Sequence, residues 1–141
     1  MSYTSLYGIK SDFTAVELKQ YKNSWLFLPQ IYKILGEKYL NEKDTYKVLF
    51  TSKNLDKLER NVSKSKRTED RVLWLLVNQQ IFFTKDKTFI ADCIQKFFME
   101  DVRYYHPDNM DLIEWHDKIR KDISALDEKK YPYFIFNATT F

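Results

Sequence analysis

Two glycines, three prolines and one cysteine are all that this 141-residue chain has of the residues that usually build special loops and covalent or metal-bound sites. So few glycines exclude a glycine-rich phosphate cradle. The lone cysteine, Cys93, excludes an internal disulfide and a cysteine-based zinc box, and nothing asks for an oxidising compartment. The longest apolar run, Val72-Leu73-Trp74-Leu75-Leu76-Val77, stops far short of the about 20 residues of a membrane span. Met1-Ser2-Tyr3-Thr4-Ser5 carries no basic stretch leading into an apolar block, so no secretory leader is read and a soluble, cytoplasmic protein is expected.

What is abundant is rings. Eleven Phe, ten Tyr and three Trp, within a 44% hydrophobic and 30% charged composition, describe one domain over 1–141 with a ring-filled core. The net charge of +3 is too mild to name a partner. Its distribution says more. Lys43 to Arg71 holds nine basic and five acidic residues, a net +4, whereas Glu100 to Glu128 holds four basic and nine acidic, a net −5.

Periodicity predicts an α+β fold. Tyr3–Ile9 and Phe13–Gln20, joined by Lys10-Ser11-Asp12, read as a β-hairpin with Val16 and Leu18 on its buried face. Asn23 or Ser24 can cap a helix carrying Trp25, Leu28, Ile31, Tyr32, Leu35 and Tyr39, which Pro29 either kinks or starts late. Tyr46–Phe50 reads as a short strand or irregular segment. Ser52 opens a helix with Leu55, Leu58 and Val62 inward, and Thr68-Glu69-Asp70 opens a nearly all-round apolar helix to Phe83. Thr88 caps another helix through Phe98. A last one, from Pro107, aligns Leu112, His116, Ile119, Ile123 and Leu126. Tyr131 to Phe141 is strand-like, with Pro132 at its start or an edge. The expected whole is a small, mainly antiparallel sheet, made of the N-terminal hairpin plus the C-terminal strand. It packs against a block of four to five helices.

Each candidate for chemistry has a plainer explanation. Asp12, Glu17 and Lys19 resemble the acidic-x-basic signature of metal-dependent nucleases, yet Glu-x-Lys is common on any wet strand face. His106 and His116 lie ten residues apart with Pro107 between them, the wrong spacing for ligands on one helix face, so His116 is read as a core-boundary residue. Asp101, Asp108, Asp111 and Glu114 therefore gather no metal, and neither metal nor cofactor is expected. Cys93 shares its face with Ile90, Ile94 and Phe97 and is read as core.

Two binding readings remain. Lys53, Lys57, Arg60, Lys64, Arg67 and Arg71 recur every three or four residues and would form a phosphate-binding stripe on one unbroken helix, although Ser63 to Thr68 reads as a helix break. Tyr3, Tyr7, Tyr131 and Tyr133 are candidate base-stacking rings on the sheet. The preferred reading is a non-catalytic module that binds another protein stoichiometrically. Small motif-free domains of this kind are common among stand-alone inhibitors such as toxin-immunity proteins and phage-encoded inhibitors. Its candidate contacts are Tyr104, Tyr105 and His106 between two helices, with Glu114 and Asp117 of the acidic segment. Nucleic-acid binding through Lys53–Arg71 is the alternative.

Overall fold

The computed structural model describes residues 3–22, 27–40, 52–105, 107–108 and 110–139. Trp25, the Tyr46–Phe50 segment and His106 lie outside the described residues, as do the side chains of Leu28, Lys53, Asp111 and Leu112.

Strands β1 (Tyr3–Ile9) and β2 (Ala15–Lys22) form the opening hairpin. Helices α1 (Phe27–Tyr39), α2 (Ser52–Ser63) and α3 (Thr68–Val77) follow, then the two-residue strand β3 (Phe82–Phe83). A 3-10 turn (Thr84–Asp86) leads into α4 (Lys87–Phe97), which runs on through a π-helical segment (Phe98–Val102) and a last turn (Arg103–Tyr105). Helix α5 (Met110–Ser124) and strand β4 (Tyr133–Thr139) complete the fold. The sheet is antiparallel, in the order β2-β1-β4-β3. The α+β class and the joining of the terminal strand to the opening hairpin are as the periodicity predicts.

Alternation sorts the sheet's two faces. Leu6, Phe134 and Phe136 are buried in the main core with Ile31, Leu58, Leu73, Ile94, Phe97 and Ile119 of the helices. Their neighbours Tyr7, Tyr133 and Ile135 point to the opposite, outer face and are only partly buried. In β2 the alternation slips. Leu6 pairs with Lys19 but Tyr7 with Glu17, so Leu18 is an inserted bulge residue. The bulge lets Val16, opposite Gly8, face inward before it and Tyr21, opposite Thr4, after it, while Leu18 itself packs against the core. Tyr21 is buried, and its hydroxyl donates to Asp122 Oδ2 of α5 at 2.7 Å. Gly8 is obligatory here: a Cβ at that position would lie 2.6 Å from Cγ of Tyr131.

The structure corrects four sequence expectations. The second strand runs from Ala15 to Lys22, because Phe13 belongs to the turn and has a left-handed backbone, φ 66°. The apolar helix from Glu69 does not reach Phe83 but stops at Val77. Gln79 takes φ 58°, its N–H bonds Leu76 O (3.1 Å) and the Gln80 N–H bonds Leu75 O (3.1 Å), which closes the helix in a Schellman cap. Tyr32 hydroxyl also donates to Val77 O at 3.2 Å and occupies one of the last carbonyls. The freed Phe82 then stacks on Phe134, centroids 5.5 Å apart, and Phe82–Phe83 become an edge strand. Thr88 is not a cap, since α4 already begins at Lys87. Finally, Tyr104 and Tyr105 lie in a helical turn rather than a loop.

Candidate functional site

The outer face of the sheet carries an exposed apolar strip. Phe83 pairs with Tyr133, and Tyr133 with Ile9. Continuing the antiparallel register one step places Ile81 beside Ile135, which pairs with Tyr7. Phe13 is 73% exposed, Ile81 57% and Phe83 54%. The Tyr133 ring joins the two phenylalanines: Phe13 stacks on it at 5.7 Å and 12°, and Phe83 lies at 5.6 Å and 48°. Lys85 Nζ sits 5.3 Å from the Phe83 ring centroid, a cation at the strip's end. A bulky residue held in the left-handed region costs of order 1 kcal/mol or more, and such strain concentrates at functional positions. At Phe13 that conformation keeps a ring on Tyr133 and in solvent.

Behind the sheet, a charge cluster locks the helices together. Lys38 Nζ donates to Asp70 Oδ2 at 2.7 Å and to Asp101 Oδ1 at 3.1 Å, linking α1, α3 and the π-helical segment. Arg67, just before α3, donates through Nη2 to Asp101 Oδ2 and to Glu100 Oε2, each at 3.0 Å, and through Nε to Glu69 Oε1 at 2.8 Å. Tyr39 hydroxyl bonds Asp70 Oδ2 and pairs with Ser65 Oγ. Asp70 is completely buried, and its Oδ1 has no hydrogen-bond partner. Burial pushes the Asp101 carboxyl above the usual range, even though Lys38 and Arg67 pull the other way. Burial would do the same to Glu69, but backbone hydrogen bonding together with Arg67 and Lys96 brings it below that range. Burial also pushes Tyr39 up to about 12, with Asp70 adding to the effect.

This cluster changes the meaning of the charge blocks. Arg67 of the basic stretch is spent on Glu100 and Asp101 of the acidic one, so the two blocks satisfy each other where they meet. Arg71 donates to Ser65 O and to Thr68 Oγ1 (3.1 Å), closing the connection between α2 and α3. The stripe therefore breaks where α2 ends. Of its described side chains, Lys57, Arg60 and Lys64 stay exposed.

The remaining sequence candidates are dispersed. Asp12 Oδ1 accepts the Thr14 N–H at 3.0 Å within the turn, while Glu17 Oε2 accepts Ser5 Oγ at 2.9 Å on the outer face. Among the described residues, no three His, Cys, Asp or Glu side chains are placed to hold a metal ion. His116 is buried and stacks on Phe98 at 5.5 Å, and Cys93 is buried. Tyr104 is exposed, whereas Tyr105 packs against the core. Glu114 is exposed, and Asp117 bonds Lys121 at 3.0 Å within α5. Tyr131 is buried against Gly8, so of the four proposed sheet rings Tyr3, Tyr7 and Tyr133 remain on the outer face.

Sequence reasoning missed Phe13, Ile81 and Phe83. The usable signal was the polar Asn78-Gln79-Gln80 run, which interrupts the apolar pattern before Ile81. No helix among the described residues is long and apolar enough to cross a membrane. The chain matches no protein-family model, no curated protein and no solved structure.

Proposed function

We propose that this chain is a non-catalytic protein-binding module that acts by forming a stoichiometric complex, and that its contact surface is the outer-face strip of Phe13, Ile81, Phe83 and Tyr133. One observation carries the reading: two rings, Phe13 and Phe83, each more than half exposed, converge on the Tyr133 ring of the sheet, and the exposed Ile81 lies two residues before Phe83. Contiguous exposed apolar surface on a small domain marks interaction sites, whereas scattered apolar residues need no explanation. Aromatic anchors of this kind supply most of the affinity in protein complexes, with surrounding charge setting encounter rate and partner choice. Tyr104 and Glu114, both exposed, and the half-exposed Asp117 are the other side chains we assign to partner contact. An inhibitor of the immunity or phage type is the class of protein this behaviour fits.

Recovery of the tagged chain from its native host tests the reading. The expected result is a one-to-one protein complex that survives about 0.5 M salt, where exposed charges are largely screened. Changing Phe13→Ser together with Phe83→Ser is expected to weaken it by roughly 30-fold or more, the scale of a hot-spot loss. Reversing Lys57, Arg60 and Lys64 to Glu should leave it intact. If no protein is recovered, and DNA or heparin retention collapses on that charge reversal, the module binds nucleic acid instead.

A further inference from the structure

We infer that the corner between α2 and α3 is a small-molecule site, and that its ligand is a small monocarboxylate with an apolar body, of the aryl-acetic acid kind. A cavity of about 210 Å³ lies there, lined by Val62 and Ser63 at the end of α2 and by Arg71, Trp74 and Leu75 of α3. Spacing builds the α3 wall, because residues at i, i+3 and i+4 share a helix face. Val62 and Trp74 are buried, whereas the exposed Ser63 and Leu75 leave the cavity open on one side. Leu75 is 46% exposed although Val72, Leu73, Leu76 and Val77 of the same helix are covered. The Trp74 ring is held in place edge-on to Tyr32, centroids 5.7 Å apart, so this surface is preformed.

The cation at this cavity selects the ligand. Arg71 is half-buried, and its guanidinium donates through Nη1 to Ser65 O and through Nη2 to Thr68 Oγ1 at 3.1 Å. Those bonds fix its position and use two of an arginine's five N–H groups, and both acceptors are neutral. Among the described residues, no carboxylate bonds it. The positions three and four residues to either side are Arg67, Thr68, Trp74 and Leu75, so α3 supplies no acidic neighbour. Arg67, by contrast, meets Glu69, Asp70, Glu100 and Asp101. A partly desolvated guanidinium that has free donors and no counter-charge gains most from a carboxylate, whose two oxygens match its planar fork.

The surroundings narrow the ligand further. One uncompensated cation favours a single negative charge, because any further charge would leave water without a partner. Val62, Trp74 and Leu75 favour a hydrocarbon body beside the carboxylate, and the Trp74 ring favours an aromatic one. The cavity is smaller than the roughly 300–1,000 Å³ of pockets that take drug-sized ligands, so the molecule is small. Lys64 and Lys66, exposed in the connection between α2 and α3, draw an anion toward the opening. The site shares no residue with the strip on the sheet, so this inference does not depend on the partner-binding reading.

Titration of the isotope-labelled full chain with phenylacetate, followed by two-dimensional NMR, provides the test. A dissociation constant of about 1 mM or tighter is expected, with shifts at the Arg71 and Leu75 amides and at the Trp74 indole N–H. Phenylacetamide keeps the ring and loses the charge, and acetate keeps the charge and loses the ring. Each should bind roughly tenfold more weakly or worse. Arg71→Gln should cause the same loss of phenylacetate binding with an unchanged circular dichroism spectrum. If that variant unfolds, Leu75→Glu, which alters an exposed side chain and sets a carboxylate one turn from Arg71, should cause it instead. Three results would overturn the inference. They are no shifts at these residues up to about 10 mM phenylacetate, equal affinity for phenylacetamide or acetate, and wild-type binding by either variant that folds.

Discussion

Lys38→Met is expected to cost about 3–5 kcal/mol of folding stability, the scale of breaking a buried ion pair from one side. Lys38 is the cation shared by Asp70 and Asp101, and Asp70 lies completely out of solvent. Removing the ammonium leaves two nearby buried carboxylates with Arg67 as their main counter-charge, and Asp70 Oδ1 already lacks a partner. Ion pairing in such a place mostly offsets desolvation, so the loss comes from the stranded charge and not from a large intrinsic bond strength. In a domain of this size the melting temperature should fall by roughly 10–15 °C. Lys121→Met, which breaks the exposed 3.0 Å pair with Asp117, should cost less than about 1 kcal/mol. Urea melts of both variants at neutral pH check the contrast. Equal losses would mean that the cluster does not hold the helices together.

Phe134→Ala should be comparably severe, about 3–5 kcal/mol, because a fully buried ring is removed from close packing and a cavity is left. Its ring stacks on Phe82 at 5.5 Å and meets Phe136 edge-on at 6.3 Å. The Phe82 stack is the side-chain grip that holds the two-residue β3 on the sheet. Truncation should therefore loosen that edge before the rest, with faster hydrogen exchange at the Thr84 amide, which bonds Pro132 O. Phe89→Ala, at an exposed ring on α4, should stay within about 0.5 kcal/mol of wild type. A small loss at Phe134, or unchanged exchange at Thr84, would show that β3 is held by something other than this stack.

Much of the fold was legible because it rests on period. Alternation marked the hairpin and β4, and three-and-four spacing marked the buried faces of α2, α4 and α5. What stayed hidden depends on backbone states that residue type does not announce. A left-handed Gln79 ends α3 where glycine would have been the readable signal, and a left-handed Phe13 lifts a ring out of a strand. The bulge at Leu18 likewise leaves no mark in the pattern of a short strand. Within the charge cluster, the i, i+3 approach of Arg67 to Asp70 was within reach of spacing rules. The links from Lys38 to Asp70 and Asp101 cross long stretches of chain and needed the fold. The basic series looked like a stripe because spacing alone cannot tell an arginine facing solvent from one turned toward carboxylates.

The strip on the outer face matters most, and radical footprinting reads it directly. Side-chain labelling is compared between the free chain and the complex recovered from the native host. Phe13, Phe83 and Tyr133 should label strongly when free and lose most of that labelling in the complex, with the Lys57–Lys64 face of α2 unchanged. Undiminished labelling of those three rings, with protection at Tyr104 or along α2 instead, would contradict the account.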